Sequence, residues 1–212
     1  MKRIMTLILA VTAVASSNLS LAQANTQGSV IIDPYYGFPN FGASFSKNFE
    51  TAGNSDLKVK GLGPLGLRAE YMLADKIGVG VDVIFNNYDL TYRSTDSLYN
   101  GATDTWTTTV NENEYKMNRL RIQARFNYHF EVNNPNLDAY LGIGAGSNNR
   151  FRKAYENGVE VTDDADLGNL TLLPVSFRFC TGLRYYFTEN IGMNAEIGLG
   201  GPLISAGLSL RF

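Results

Sequence analysis

Apolar residues recur at every second position through most of this chain. The clearest run is residues 120–130, where Leu120, Ile122, Ala124, Phe126, Tyr128 and Phe130 share one face, while Arg119, Arg121, Gln123, Arg125, Asn127 and His129 share the other. Period two marks strand and not helix. The same alternation runs through residues 65–73, 77–86, 137–146, 175–187, 191–200 and 205–212. It is weaker over 29–37, where Pro34 interrupts it and Ile31 falls on the polar face. A strand of a soluble sandwich has a modal length of about 5–6 residues, whereas crossing an outer membrane takes about 9–11 tilted residues. Nor would a sandwich core need long strands that bury charge opposite their apolar face. The pattern predicts an all-β chain folded as an eight-stranded antiparallel up-and-down transmembrane β-barrel, even in strand number as single-chain bacterial barrels are.

The connections fit that architecture. Residues 74–76, 131–136 and 188–190 form short links, and the links between them are long and rich in Asn, Thr, Asp and Gly. Outer-membrane barrels alternate short periplasmic turns with long external loops in this way. The link at Gly200-Gly201-Pro202 departs from the rule by being tight. Outward-phase aromatics (Tyr71, Phe126, Tyr128, Phe130, Tyr185, Phe187 and Phe212) gather toward the short-turn ends, as an interfacial girdle would.

The first residues carry a different pattern. Lys2 and Arg3 precede an apolar stretch over 4–15 and an Ala22-Gln23-Ala24 cleavage site, the three parts of a secretory signal peptide. The apolar stretch is too short for a membrane anchor. Residues 1–24 are therefore expected to be removed on export, leaving residues 25–212 as one barrel domain. The absence of a Cys after that site argues against a lipoprotein. Taking 24 residues from 212 leaves 188; taking the two leader cations from 18 leaves 16 basic against 20 acidic residues. A charge of −4 gives no reason to expect nucleic acid as a partner. The single cysteine, Cys180, rules out an internal disulfide framework and a Cys-based metal cluster. No Gly-rich phosphate loop or metal-ligand spacing is present, and no cofactor or metal is expected.

The C-terminal residues Ser205-Ala206-Gly207-Leu208-Ser209-Leu210-Arg211-Phe212 end on an aromatic. Ser205, Gly207, Leu210 and Phe212 resemble the signature by which the outer-membrane insertion machinery recognises its clients. With Gly63-Pro64-Leu65-Gly66-Leu67-Arg68-Ala69-Glu70-Tyr71-Met72, Asp75-Lys76-Ile77-Gly78-Val79-Gly80 and Arg125-Phe126-Asn127-Tyr128, they make the chain similar to small outer-membrane barrels of OmpA/OmpX type, in the form common among Bacteroidota. The likeness covers essentially the whole chain after the leader. It implies residence among outer-membrane lipids after passage through the periplasm, delivery by the insertion machinery, and structural, adhesive or porin-like roles. Wall anchoring by an OmpA-type periplasmic domain is not expected, since nothing follows the last strand. Some small barrels are enzymes that act at the external rim. Here the lone His129 lies at the periplasmic end of its strand without a Ser/Asp constellation, so no catalytic residue is predicted and the protein is not expected to be an enzyme.

By phase, the inner face holds Arg68, Arg119, Arg121, Arg125, Arg178, Arg184 and Arg211 against Glu70, Asp82, Asp138 and Glu196. One reading is a plug in which Arg forks bridge carboxylates across an interior just wide enough for side chains. On that reading Arg121→Leu leaves an acidic partner buried and unpaired. The other reading is a narrow anion-favouring pore, given the surplus of Arg. Outside the barrel, Tyr99, Trp106 and the run Thr107-Thr108-Thr109-Val110 are strand-prone. They suggest that strands three and four project beyond the membrane and offer an edge to a strand of an extracellular protein partner. Alternatively these residues only shield the barrel.

Overall fold

The computed structural model describes residues 24–40, 57–161 and 174–212. The signal-peptide region before Ala24 lies outside the described residues. Among those described, ten strands form: β1 (Val30–Phe38), β2 (Lys58–Lys60), β3 (Leu65–Ala74), β4 (Ile77–Asn100), β5 (Thr105–Phe130), β6 (Leu137–Glu156), β7 (Val159–Val161), β8 (Val175–Tyr186), β9 (Ile191–Leu199) and β10 (Ile204–Arg211). Eight of them close a ring in the order β1-β3-β4-β5-β6-β8-β9-β10, each pairing antiparallel with its neighbours and β10 returning to β1. Closure removes every sheet edge within the wall, which is what a strand protein needs in lipid. The last residue takes part: Phe212 and Val30 exchange backbone hydrogen bonds of 2.9 Å in both directions.

Burial alternates residue by residue in the sense the apolar pattern demands. β8 and β9 alternate exposed and buried positions along their whole lengths, with Phe177, Phe179, Leu183, Ile197 and Leu199 outward. The aromatic girdle residues all point outward as well. In this inside-out arrangement the apolar face meets lipid and the charged face makes the core.

Three features of the strands stand out against the sequence pattern. First, β1 is a full strand despite Pro34. Its ladder to β10 steps from Ile32↔Leu210 to Tyr35↔Gly207 across the point where Pro34 has no N–H to donate. Second, the link expected as a long loop between the third and fourth barrel strands is mostly strand: β4 and β5 stay paired from Ile77↔Tyr128 to Asn100↔Thr105. At 26 residues, β5 is more than twice the ~9–11 residues that cross the membrane. Third, β6 also projects, and Asn157 and Gly158 turn it back into β7 with φ of 51° and 81°. Both values are positive, as a two-residue type I′ hairpin requires. β2 pairs with β4 at residues 89–91, so the wall thickens on both flanks of the projecting hairpin.

Candidate functional site: a sealed lumen and a projecting hairpin

The interior contains two linked charge clusters. Near the short-turn end, Arg184 donates to Asp33 (Nη2–Oδ2 2.9 Å), Glu70 (Nη2–Oε2 2.6 Å) and Asp138 (Nη1–Oδ2 2.8 Å). His129 lies between two carboxylates, with Nδ1 2.7 Å from Asp138 and Nε2 2.9 Å from Glu70. Both ring nitrogens face acceptors, so an imidazolium with two N–H donors satisfies both contacts. One step outward along the barrel, Glu196 receives Arg125 (Nη2–Oε2 2.7 Å), Tyr140 (Oη–Oε2 2.8 Å) and Arg178 (Nε–Oε1 2.9 Å), with Arg68 Nη2 at 3.2 Å. Asp82 accepts from Tyr35 (2.6 Å) and Arg125 (3.1 Å). Arg68 joins the clusters by also contacting Asp33 at 3.2 Å. The cations stack on rings too: the Arg184 guanidinium lies 4.4 Å from the Tyr140 centroid and that of Arg68 4.8 Å from Tyr35.

Sheet geometry explains how so much side chain fits. Tyr140 lies directly across from Gly182, and Tyr35 across from Gly66. A Cβ at Gly182 would be 2.3 Å from the Tyr140 ring, and one at Gly66 would be 1.9 Å from the Tyr35 ring. Each glycine leaves a berth for the tyrosine of its neighbouring strand.

Both mouths are covered. At the periplasmic end Ala24 and Asn25 are buried, Asn25 donates to Asp138 (2.7 Å), and Arg211 donates to the carbonyls of Ala24 and Glu189. At the external end the tight 200–203 turn folds inward. There the Gly200 carbonyl lies 3.5 Å from Gln123 Nε2, and the Pro202 carbonyl 3.5 Å from Arg178 Nη1.

Not all the expected charges meet. Arg68, Arg125, Arg178 and Arg184 are brought together with Glu70, Asp82, Asp138 and Glu196. Arg119 instead donates to Asn148 (Nε–Oδ1 2.7 Å), and Arg211 stacks on Tyr186 at 4.2 Å while bonding only backbone carbonyls. Among the described residues Arg121 has no carboxylate within ion-pair distance, so the acidic partner expected for it is absent. The reason is depth: Arg121 lies across from Ile84, one inward step outside Asp82. Arg121→Leu is therefore expected to move stability by less than about 1 kcal/mol, since it removes one of several neighbouring like charges and strands no carboxylate. A thermal transition lowered by more than that would reveal an acidic partner. Asp33, Tyr35, Tyr140 and His129 were not recognised as network members from sequence. Asp33 and Tyr35 share the inward phase of β1, which Pro34 obscured, and His129 shares the phase of Arg125.

The insertion-signature residues fall on both faces of β10: Ser205 is buried inward and Leu210 and Phe212 face outward. Gly207 sits against β1, where a Cβ would come 2.0 Å from the Pro34 carbonyl. Outside the membrane, Tyr99 and Trp106 are directly opposed across the β4–β5 ladder with ring centroids 5.0 Å apart. Trp106 is 69% exposed. Tyr99 donates to Asp104 (2.6 Å), and that carboxylate holds its phenol above the usual range.

A model of the "outer membrane protein beta-barrel domain" family matches residues 6–205. The chain belongs to this family. It is a bacterial outer-membrane β-barrel. Solved structures similar to this barrel include the N-terminal β-barrel domain of Pseudomonas aeruginosa OprF, at 15% identity over 89% of this chain and 100% of that one, with a TM-score of 0.42. OprG of the same organism is 15% identical over 90% of this chain and 98% of that one, with a TM-score of 0.42. Ail of Yersinia pestis is 12% identical over 88% of this chain and 99% of that one, with a TM-score of 0.28. No curated protein sequence matches the chain.

Proposed function

We propose that this barrel is a sealed outer-membrane protein whose β4–β5 hairpin recognises an extracellular protein partner by strand addition. The hairpin carries the reading. Beyond Thr91 on β4 and Glu112 on β5, whose backbone N–H and C=O are both taken by Asn157, the two strands pair only with each other among the described residues. Edges are guarded by charged side chains, Lys above all, and by Pro or bulges; residues 93–111 contain neither Lys nor Pro, carry only Arg93, Asp96 and Asp104 as charges, and expose Leu98, Trp106 and Val110. A thinly guarded, β-prone edge held clear of the membrane is what a partner strand needs. Replacing residues 96–109 by Asn-Gly rejoins Thr95 to Val110 in their existing register through a two-residue turn. Cells carrying that variant are expected to lose binding to immobilised extracellular proteins while the barrel still folds and inserts. Unchanged binding would overturn the proposal.

In this reading residues 1–24 act as an export leader, residues 25–212 as the barrel, and Ser205, Gly207, Leu210 and Phe212 as the feature read by the insertion machinery. The competing reading, an anion-favouring pore, draws on the Arg surplus but meets the Arg68–Glu196–Arg125 layer across its path. In a planar bilayer the folded protein is expected to give no resolved conductance steps. Anion-selective steps that change with Arg178 would favour the pore.

A further inference from the structure

Outside the central network the lumen face changes character. Moving outward along β5, the inward positions after Arg125 and Gln123 are Arg121 and Arg119; on β6 they are Asn148 and then Arg150. Arg119 and Arg150 are direct partners across the β5–β6 ladder, a placement in which like charges destabilise. Arg121 is diagonal to Arg150 and faces Asn148. Among the described residues none of the three has a carboxylate within ion-pair distance. Arg121 is only 9% exposed, and its buried Nε has no hydrogen-bond partner. Arg119 uses Nε on Asn148, which leaves its two terminal amines to point elsewhere. Burying one guanidinium beside two others is unfavourable unless a counter-charge is supplied, and a bound anion supplies it.

We propose that Arg119, Arg121 and Arg150 form an external vestibule that binds a soluble phosphate-class oxyanion. The planar guanidinium fork matches two oxygens of a tetrahedral oxyanion at once, which a halide cannot offer. Arg150 is exposed and Arg119 half-buried, so the site opens to the outside. The inward 200–203 turn and the Arg178–Glu196 layer form its floor, so the anion is held and not passed through. The three residues face the lumen, away from lipid, so the ligand arrives from water. This inference is independent of the hairpin and of its partner.

The test uses the protein purified from the outer membrane in octyl glucoside, which carries no phosphate. Inorganic phosphate is titrated against chloride at matched ionic strength, with calorimetry and the thermal transition as readouts. Saturable binding of phosphate is expected, weakened at least tenfold in Arg119→Gln and in Arg121→Gln and retained in Arg211→Gln, whose cation lies at the opposite mouth. No preference for phosphate over chloride, or equal binding by the Arg121→Gln protein, would overturn the proposal. A parallel titration adds phosphatidic acid to the micelles. A response to the lipid alone would assign the site to a headgroup and refute the soluble anion.

Discussion

Replacing Glu196 with Gln is expected to lower the stability of the barrel by about 3–5 kcal/mol, the scale seen when one member of a buried ionic cluster is removed. Glu196 is the point at which Arg68, Arg125, Arg178 and Tyr140 meet. The substitution keeps the shape and removes the charge, leaving three guanidiniums around a neutral amide in a space closed at both mouths. Asp82 remains near Arg68 and Arg125 but cannot balance all three. The measurement is the thermal transition of the detergent-solubilised barrel, read by circular dichroism beside Arg121→Leu. A large drop for Glu196→Gln with little change for Arg121→Leu would show that stability follows the paired cations and not their number. Equal shifts would remove the central network as the source of stability.

That contrast also marks how far the sequence could be read. Strand phase was legible because the membrane imposes it: every second residue of a wall strand meets lipid, so Leu120 to Phe130 could hardly alternate by chance. Depth was not legible from phase alone. Arg121 and Arg125 share a face, yet they flank Asp82 on opposite sides: the ladder places Gln123 opposite Asp82, Arg125 one step inward, where it reaches both Asp82 and Glu196, and Arg121 one step toward the outside. Each such step moves a side chain about 6.6–6.8 Å along the strand; Arg125 bridges one step to reach Asp82, and Arg121 starts two steps farther out than Arg125.

Beyond the membrane the pattern fades for a different reason. Water contacts both faces of the β4–β5 hairpin, so residues 93–100 carry no alternation and read as loop although they are strand. The Asn157-Gly158 pair was a direct turn signal for the β6–β7 hairpin, as the positive φ of both residues shows. Asp33 was obscured by Pro34 beside it, although a proline needs only a gap in the ladder on its N–H side to be accommodated. The candidate anion vestibule follows from the same depth argument, since it consists of the cations that phase placed inside and depth placed out of reach of the acids.

Substituting Gly182 with Val is expected to cost about 3 kcal/mol or more, at or beyond the upper end of the usual penalty for overpacking. The new Cβ would lie 2.3 Å from the Tyr140 ring. A tyrosine on a surface would swing aside, but this one is held in three ways: its hydroxyl donates to Glu196, it accepts from Arg68 at 3.0 Å, and the Arg184 guanidinium lies over its ring. Moving it breaks contacts in both charge clusters at once, so a steric change in the wall becomes an electrostatic change in the core. A double-mutant cycle separates the two contributions. Tyr140→Ala alone should destabilise by loss of those contacts, and adding Gly182→Val to it should cost little more, because the berth is then empty. Full additivity would mean that the valine acts on the β6–β8 ladder itself and that Tyr140 is not what the glycine accommodates.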